Sequence, residues 1–331
     1  MNDSRSGLAM GAGAYLCWGL FPLYWPLLDP AGSLEALAHR IVWSLVFVGL
    51  LLTVTHRWDA FRAIWTDRRR IGFLALASVV IAVNWGAFIY GVTHDKVIET
   101  SLGYFINPLV TVLLGVFVLQ ETLRRAQWVA VAIGAVAVVI LTVDYGRLPY
   151  VALTVAFSFA TYGFLKKKAQ LGAVEALGAE TLMLTPIALA YLGVLEANGT
   201  LSFGHEGLPN ALLLAGTGII TAIPLLLFGG AATRLRLTSI GLLQYLAPIL
   251  QFIFGLLLFK EAMTTSRWIG FVLVWIALVI FTVDVLGGRR RRAPRTAETM
   301  AVSPAECDVP VVVRAELRPE RDAHGVTDPS R

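Results

Sequence analysis

The sequence predicts an all-α polytopic membrane protein, with ten transmembrane helices arranged as two inverted-topology five-helix repeats. Three observations carry this expectation. Of the 331 residues, 57% are apolar and only 15% charged, and the mean hydropathy is +0.71, far from the composition of a soluble domain. Basic residues alternate between the connections of successive apolar stretches. Residues 103–144 align without a gap on residues 243–284. The composition excludes an ordinary soluble enzyme, a disordered chain and a nucleic-acid-binding domain, because a soluble chain of this size needs far more polar surface.

A helix needs about 20 mainly apolar residues to cross the hydrocarbon of a bilayer. That length picks out 7–28, 34–55, 71–92, 97–119, 126–143, 149–165, 174–195, 208–232, 238–259 and 267–286. The first stretch is longer than a signal-peptide core and reads as a retained span. Short connections make neighbours antiparallel and leave no room for a soluble domain. The transmembrane domain is expected over 1–286, with repeat one at about 7–145 and repeat two at about 149–286. Residues 287–331 are rich in Pro, Ala, Glu and Arg and read as a disordered cytoplasmic tail. Cys17 and Cys307 read as free, with no disulfide framework, and no metal or cofactor pattern is present.

Orientation follows from the basic residues. Arg5, Arg57, Arg62, Arg68 to Arg70, Arg124, Arg125, Lys166 to Lys168, Arg234, Arg236 and Arg289 to Arg292 make 17 on one side. Only Lys96, Arg147, Lys260 and Arg267, 4 in all, fall on the other. Positive residues stay inside, so both termini are expected in the cytoplasm. The net charge of +5 is then mostly a topology signal rather than the mark of a partner.

The aligned segments share 10 identities in 42 positions, among them Pro108/Pro248, Gly115/Gly255, Glu121/Glu261, Trp128/Trp268 and Asp144/Asp284. Generic apolar helices do not share such residues. An odd number of helices per copy inverts the second copy, the architecture of many secondary transporters. Pro108 and Pro248 fall near the middle of their spans and are expected as helix breaks. A proline there frees a carbonyl that only protein or a cavity can satisfy. They mark a midplane site or, on the plainer reading, a kink alone.

Charges inside the membrane are costly and need a reason to be there. Glu35, His39 and Arg40 lie within two turns of the extracytoplasmic edge of the second span, and Glu99 enters the fourth span from the same side, after His94, Asp95 and Lys96. On the functional reading Arg40 attracts an anionic group while His39 or Glu99 exchanges a proton. Otherwise these groups form a neutralised cluster that fastens helix ends. Deeper lie Asn84 and Trp85, Tyr104 and Asn107, and Gln244, Tyr245 and Gln251. Amides and phenols orient a ligand without the cost of a charge, and they serve equally as interhelical glue. Trp18, Tyr24 and Trp25 read as packing or interface aromatics. Glu121 and Glu261 read as local caps that close their hairpins. Gly7 and Gly11 suggest close helix packing. Walker A, HExxH and GxSxG patterns are absent, so no catalytic or ATP-driven chemistry is expected.

The strings AYLCWGLFPLYWPLL (14–28), LAHRIVWSLVF (37–47), NW (84–85), ETSLGYFINPLVTVLLGV (99–116), TAIPLLLFGGAATRL (221–235) and GLLQYLAPILQFIFG (241–255) resemble the RarD branch of the EamA-type drug/metabolite transporter superfamily. The resemblance covers nearly all of 7–286, in order, and leaves out the tail. It implies ten helices in two inverted halves, with helices 1–4 and 6–9 around a central path and 5 and 10 at the periphery. It also implies residence in a bacterial cytoplasmic membrane and secondary transport of small metabolites. Members of this branch are called chloramphenicol-sensitivity permeases. The motif positions carried over are His39, Arg40, Asn84, Trp85, Glu99, Tyr104, Asn107, Gln244, Tyr245 and Gln251.

The expectation is therefore a transporter of small amphipathic or zwitterionic metabolites or drugs, surrounded by membrane lipid, with no nucleic acid and with a homodimer left open. Two rivals stand beside it. One is a non-transporting sensor or partner subunit that uses the tail. The other is an intramembrane lipid-acting enzyme, which would need a nucleophile or metal constellation.

Overall fold

A computed structural model of the chain describes residues 2–120, 122–169, 171–232, 234–235, 240 and 243–290. All regular structure among the described residues is helical. The helices are α1 (Asn2–Leu20), α2 (Ser33–Val54), the short α3 (Trp58–Ala63), α4 (Arg68–Thr93), α5 (Val97–Leu119), α6 (Arg125–Tyr145), α7 (Tyr150–Ala169), α8 (Ala173–Ala197), α9 (Gly207–Ala232), α10 (Leu246–Leu257) and α11 (Thr265–Arg290). Eight of them are long and apolar enough to cross a membrane, and the apolar part of α7 and the whole of α10 are shorter. The chain is a multi-pass membrane protein. The expected tail lies outside the described residues beyond Arg290, and α11 itself runs four residues past the expected boundary at 286.

Three sequence expectations are corrected. The first span is not one continuous α-helix: α1 ends at Leu20 and the chain continues as 3-10 turns at Phe21–Leu23 and Trp25–Leu28. Pro22 and Pro26 lack the N–H groups that α-helical bonding needs, and each is accommodated at the start of a short turn. Pro108 does not break its helix, because α5 runs through it. Pro248 lies not in mid-helix but in the first turn of α10, where its missing N–H leaves little to satisfy.

Packing follows a regular pattern. α1 lies against α9 and α10, while α7 lies against α4 and α5; α2 contacts α8 and α9, α10 contacts α5, and α6 pairs with α11. Two glycines set close approaches to the backbone of a neighbouring helix. A Cβ on Gly218 of α9 would sit 2.3 Å from the Trp43 carbonyl oxygen of α2, and one on Gly103 of α5 would sit 2.6 Å from that of Ala152 on α7. Gly11 meets Leu243 and Ala231, as its spacing with Gly7 suggested.

The α6–α11 pair is fastened at both ends. Asp144, at the end of α6, accepts from Thr264 Oγ1 (2.6 Å) and Arg267 Nε (2.8 Å) at the start of α11. Asp284, late in α11, is paired with Arg124 at the start of α6 (3.4 Å). Large apolar side chains such as Val46, Leu50, Val136, Val139 and Ile187 remain exposed on the outside, as a hydrocarbon solvent favours.

Candidate functional site

Arg40 occupies the eighth position of α2, where the helix passes α9 and α4. It is 4% exposed. Its Nε donates to Thr221 Oγ1 (3.1 Å), whose own hydroxyl donates to the Thr217 carbonyl (2.7 Å). Around the guanidinium stand three aromatic rings, with centroids 4.2 Å (Trp85), 5.2 Å (Trp25) and 5.5 Å (Phe21) from its central carbon. Such faces attract a cation through the ring quadrupole. They do not neutralise it. Among the described residues no carboxylate forms an ion pair with Arg40, whereas Arg57, Arg124, Arg147 and Arg267 each have one. Arg remains charged at any physiological pH, and insertion scales put the cost of such a charge at about 2.5–3.5 kcal/mol. A planar fork of donors over the Trp85 ring is suited to a carboxylate or phosphate.

Asn84 and Tyr104 lie beside this nest. The Asn84 amide donates to the Val155 carbonyl (3.1 Å) and to Ser158 Oγ (3.0 Å), and its oxygen accepts from the Tyr104 hydroxyl (3.4 Å). Its hydrogen bonds are spent on joining α4, α5 and α7. Trp85, the next residue, faces Arg40 instead. Asn107 Oδ1 and Gln251 Oε1 are buried with no partner, while Gln251 Nε2 donates to the Trp18 carbonyl of α1 (3.2 Å). Gln244 and Tyr245 are half-buried in the turn before α10, and Tyr245 packs on the α5–α11 core.

His39, Arg40 and Glu99 do not form one vestibule, which corrects the sequence grouping. Successive helical residues point about 100° apart, so Arg40 faces α9 and α4 while His39 lies against the loop before α9. The His39 ring packs at a tilt on Phe203 (4.8 Å), and both its nitrogens are buried without a hydrogen bond. Glu35 Oε1 is 3.9 Å from His39 Nε2, too far to bond. Glu35 instead accepts from the Ser202 N–H (2.8 Å), its hydroxyl (3.1 Å) and the Phe203 N–H (3.3 Å). Glu99 is bound by both arms of Arg147 (2.8 and 3.3 Å) and by the Val151 N–H (3.0 Å). It anchors α5 to α7.

Sequence reasoning missed Thr221, which gave no signal beyond its place in the 221–235 string. It also read Trp25 as a packing residue, although Trp25 is part of the Arg40 nest. The repeat aligns Asp144 with Asp284, but their reciprocal partners, Arg267 and Arg124, are visible only in the fold. Glu261 does not close its own hairpin: it accepts from the Val97 and Ile98 N–H groups at the start of α5. Glu121 lies outside the described residues.

A multi-pass helical protein with a buried cation among aromatic rings fits a membrane transporter. Residues 5–143 and again 149–283 match the EamA-like transporter family. The chain is 53% identical to Protein RarD of Streptomyces exfoliatus over 307 residues, covering 92% of this chain and 98% of that protein. It is 42% identical over 291 residues to the uncharacterized transporter YojE of Bacillus subtilis, covering 87% and 97%. It is 31% identical over 303 residues to the chloramphenicol-sensitive protein RarD of Pseudomonas aeruginosa, covering 89% and 99%. A crystal structure 17% identical covers 84% of this chain and 98% of its own, with a TM-score of 0.55, a likeness of fold alone. The chain belongs to the EamA-like transporter family, in the RarD branch of the drug/metabolite transporter superfamily.

Proposed function

We propose that this chain is a secondary transporter, an exporter or permease of small amphipathic or zwitterionic metabolites or drugs, working by alternating access between inverted repeats. The observation that carries the reading is Arg40: a buried guanidinium over the Trp85 ring, with no carboxylate paired to it among the described residues. In a membrane this arrangement is stabilised when an anionic group arrives. Trp85, Tyr104, Asn107, Gln244, Tyr245 and Gln251 line the path on this reading, and Asn84 holds Tyr104 in place. His39, with two unpartnered ring nitrogens, is the proton-exchanging candidate.

Ten spans over 1–286, two inverted repeats and cytoplasmic termini in a bacterial cytoplasmic membrane complete the proposal. Exchange of α1 with α7, α4 with α9, α5 with α10 and α6 with α11 supports the inversion. It maps the α1–α9 contact onto α7–α4, and the α1–α10 contact onto α7–α5. The Asp144 and Asp284 clamps map onto each other in the same way.

The test is uptake in proteoliposomes. Metabolites that change between cells with and without the protein provide the anionic substrate, and chloramphenicol is a first drug to try. Arg40→Gln is expected to lower uptake of an anionic substrate about tenfold or more, the worth of a lost charge-assisted contact. Undiminished uptake refutes the Arg40 role. Flux indifferent to an imposed pH gradient removes proton coupling.

A further inference from the structure

On the outer side of the Arg40 nest an apolar groove of about 330 Å3 runs between the first span and α9, lined by Cys17, Phe21, Tyr24 and Leu27 with Ile223 and Pro224. Its volume suits a small ligand. Leu20 and Leu27 on its rim are exposed on the outer surface. Phe21 belongs to both places: its ring walls the groove and lies 5.5 Å from the Arg40 guanidinium. α9 does the same, because Thr221, which accepts from Arg40, lies one residue after Ile220 and two before Ile223, both of which line the groove. Tyr24 is held across the groove by its hydroxyl, which donates to the Leu213 carbonyl. A cation and an apolar slot are thus separated by one ring.

A molecule that satisfies both carries an anionic head and a hydrocarbon tail. We infer that this protein binds amphipathic carboxylates, with the head paired to Arg40 and the tail lying past Phe21 in the α1–α9 groove. The inference rests on the reading of Arg40 as an anion site and names the ligand class of that site. Charge complementarity selects this occupant over a phospholipid acyl chain, which has no need of Arg40.

The experiment is equilibrium binding of radiolabelled straight-chain carboxylates, acetate to octanoate, to the full chain in lipid nanodiscs. Octanol is the neutral comparator, and binding to empty nanodiscs is subtracted. Affinity is expected to rise about fourfold per added methylene while the tail fits the groove, and octanoate to bind at least about tenfold tighter than octanol. Ile223→Trp, which fills the groove, abolishes the dependence on chain length. Arg40→Gln abolishes the preference for octanoate over octanol.

Equal binding of octanoate and octanol, insensitive to Arg40→Gln, makes the groove a lipid-chain slot and overturns the inference. Carboxylates that need Arg40 but gain nothing from chain length leave the anion site standing and overturn the role of the groove. No carboxylate binding at all overturns both. Should Ile223→Trp fail to fold, N-ethylmaleimide labelling of Cys17 in a Cys307→Ser background reads the same slot. Octanoate, but not acetate, slows labelling at least about fivefold; equal rates refute the inference.

Discussion

Asn84 and Arg40 show what a polar side chain inside the membrane does when its hydrogen bonds are complete and when its charge is not. Asn84 joins three helices through Val155, Ser158 and Tyr104. Asn84→Leu is expected to destabilise the protein by about 1–3 kcal/mol through the orphaned partners, read as a lower Tm in detergent, with the substrate preference of the folded fraction unchanged. Arg40→Lys keeps the charge but loses the Nε donor and the planar fork over the Trp85 ring, so anion affinity should fall, though less than in Arg40→Gln; equal affinities of Lys and Arg would remove the geometric part of the argument. In the sequence both residues were legible as polar groups in a span, and Arg40 as a group that attracts an anion, but their contacts were not. Their partners lie 71 and 181 positions away, and no local pattern connects them. His39 and Arg40 were legible as neighbours, but their divergence was set by the two surfaces on either side of α2.

Helix existence was legible at nearly every span, because the apolar runs have the length a bilayer demands. Helix ends were less so. The start of α5 is capped by Glu261 from the α10–α11 connection, a tertiary contact that no reading of residues 93–100 contains. Burial pushes the Glu261 carboxyl up to about 7, against the Ile98 and Val97 N–H groups, which lower it; Asp95 raises it further and Arg267 lowers it. The sign follows: an acid with a raised folded-state pKa holds its proton more tightly than the unfolded chain does. Its stabilising contribution is full below its usual value, is withdrawn as the pH rises toward about 7, and is level above that. A Tm profile against pH should therefore slope down to neutrality, and Glu261→Gln should flatten that slope; identical profiles would count against it. At the α2–α9 crossing, Gly218→Ala must push α9 away from the Trp43 carbonyl. A loss of about 1–3 kcal/mol is expected for overpacking, seen as reduced yield and Tm, with Gly229→Ala in open space as the neutral control.

For the whole molecule, the duplicated stretch announced two halves, and the proposed inversion has a direct check. In a background lacking Cys17 and Cys307, Thr200→Cys should react with an impermeant maleimide from outside intact cells and Asp59→Cys only after lysis; the reverse pattern would invert the proposed topology. The aligned aspartates were visible as matches, but only folding shows that each reaches the start of the other half's last span. One consequence of the Arg40 nest concerns kinetics. On the proposed alternating-access cycle, a carrier loaded with a monoanion would reorient with that site electrically neutral, whereas the empty carrier would move an uncompensated positive charge through the same transition, worth about 2.3 kcal/mol per 100 mV if it crosses the full field. The proposal therefore predicts that empty return is the slow, voltage-sensitive limb of the cycle. Trans-side substrate should accelerate efflux, with exchange outrunning net flux.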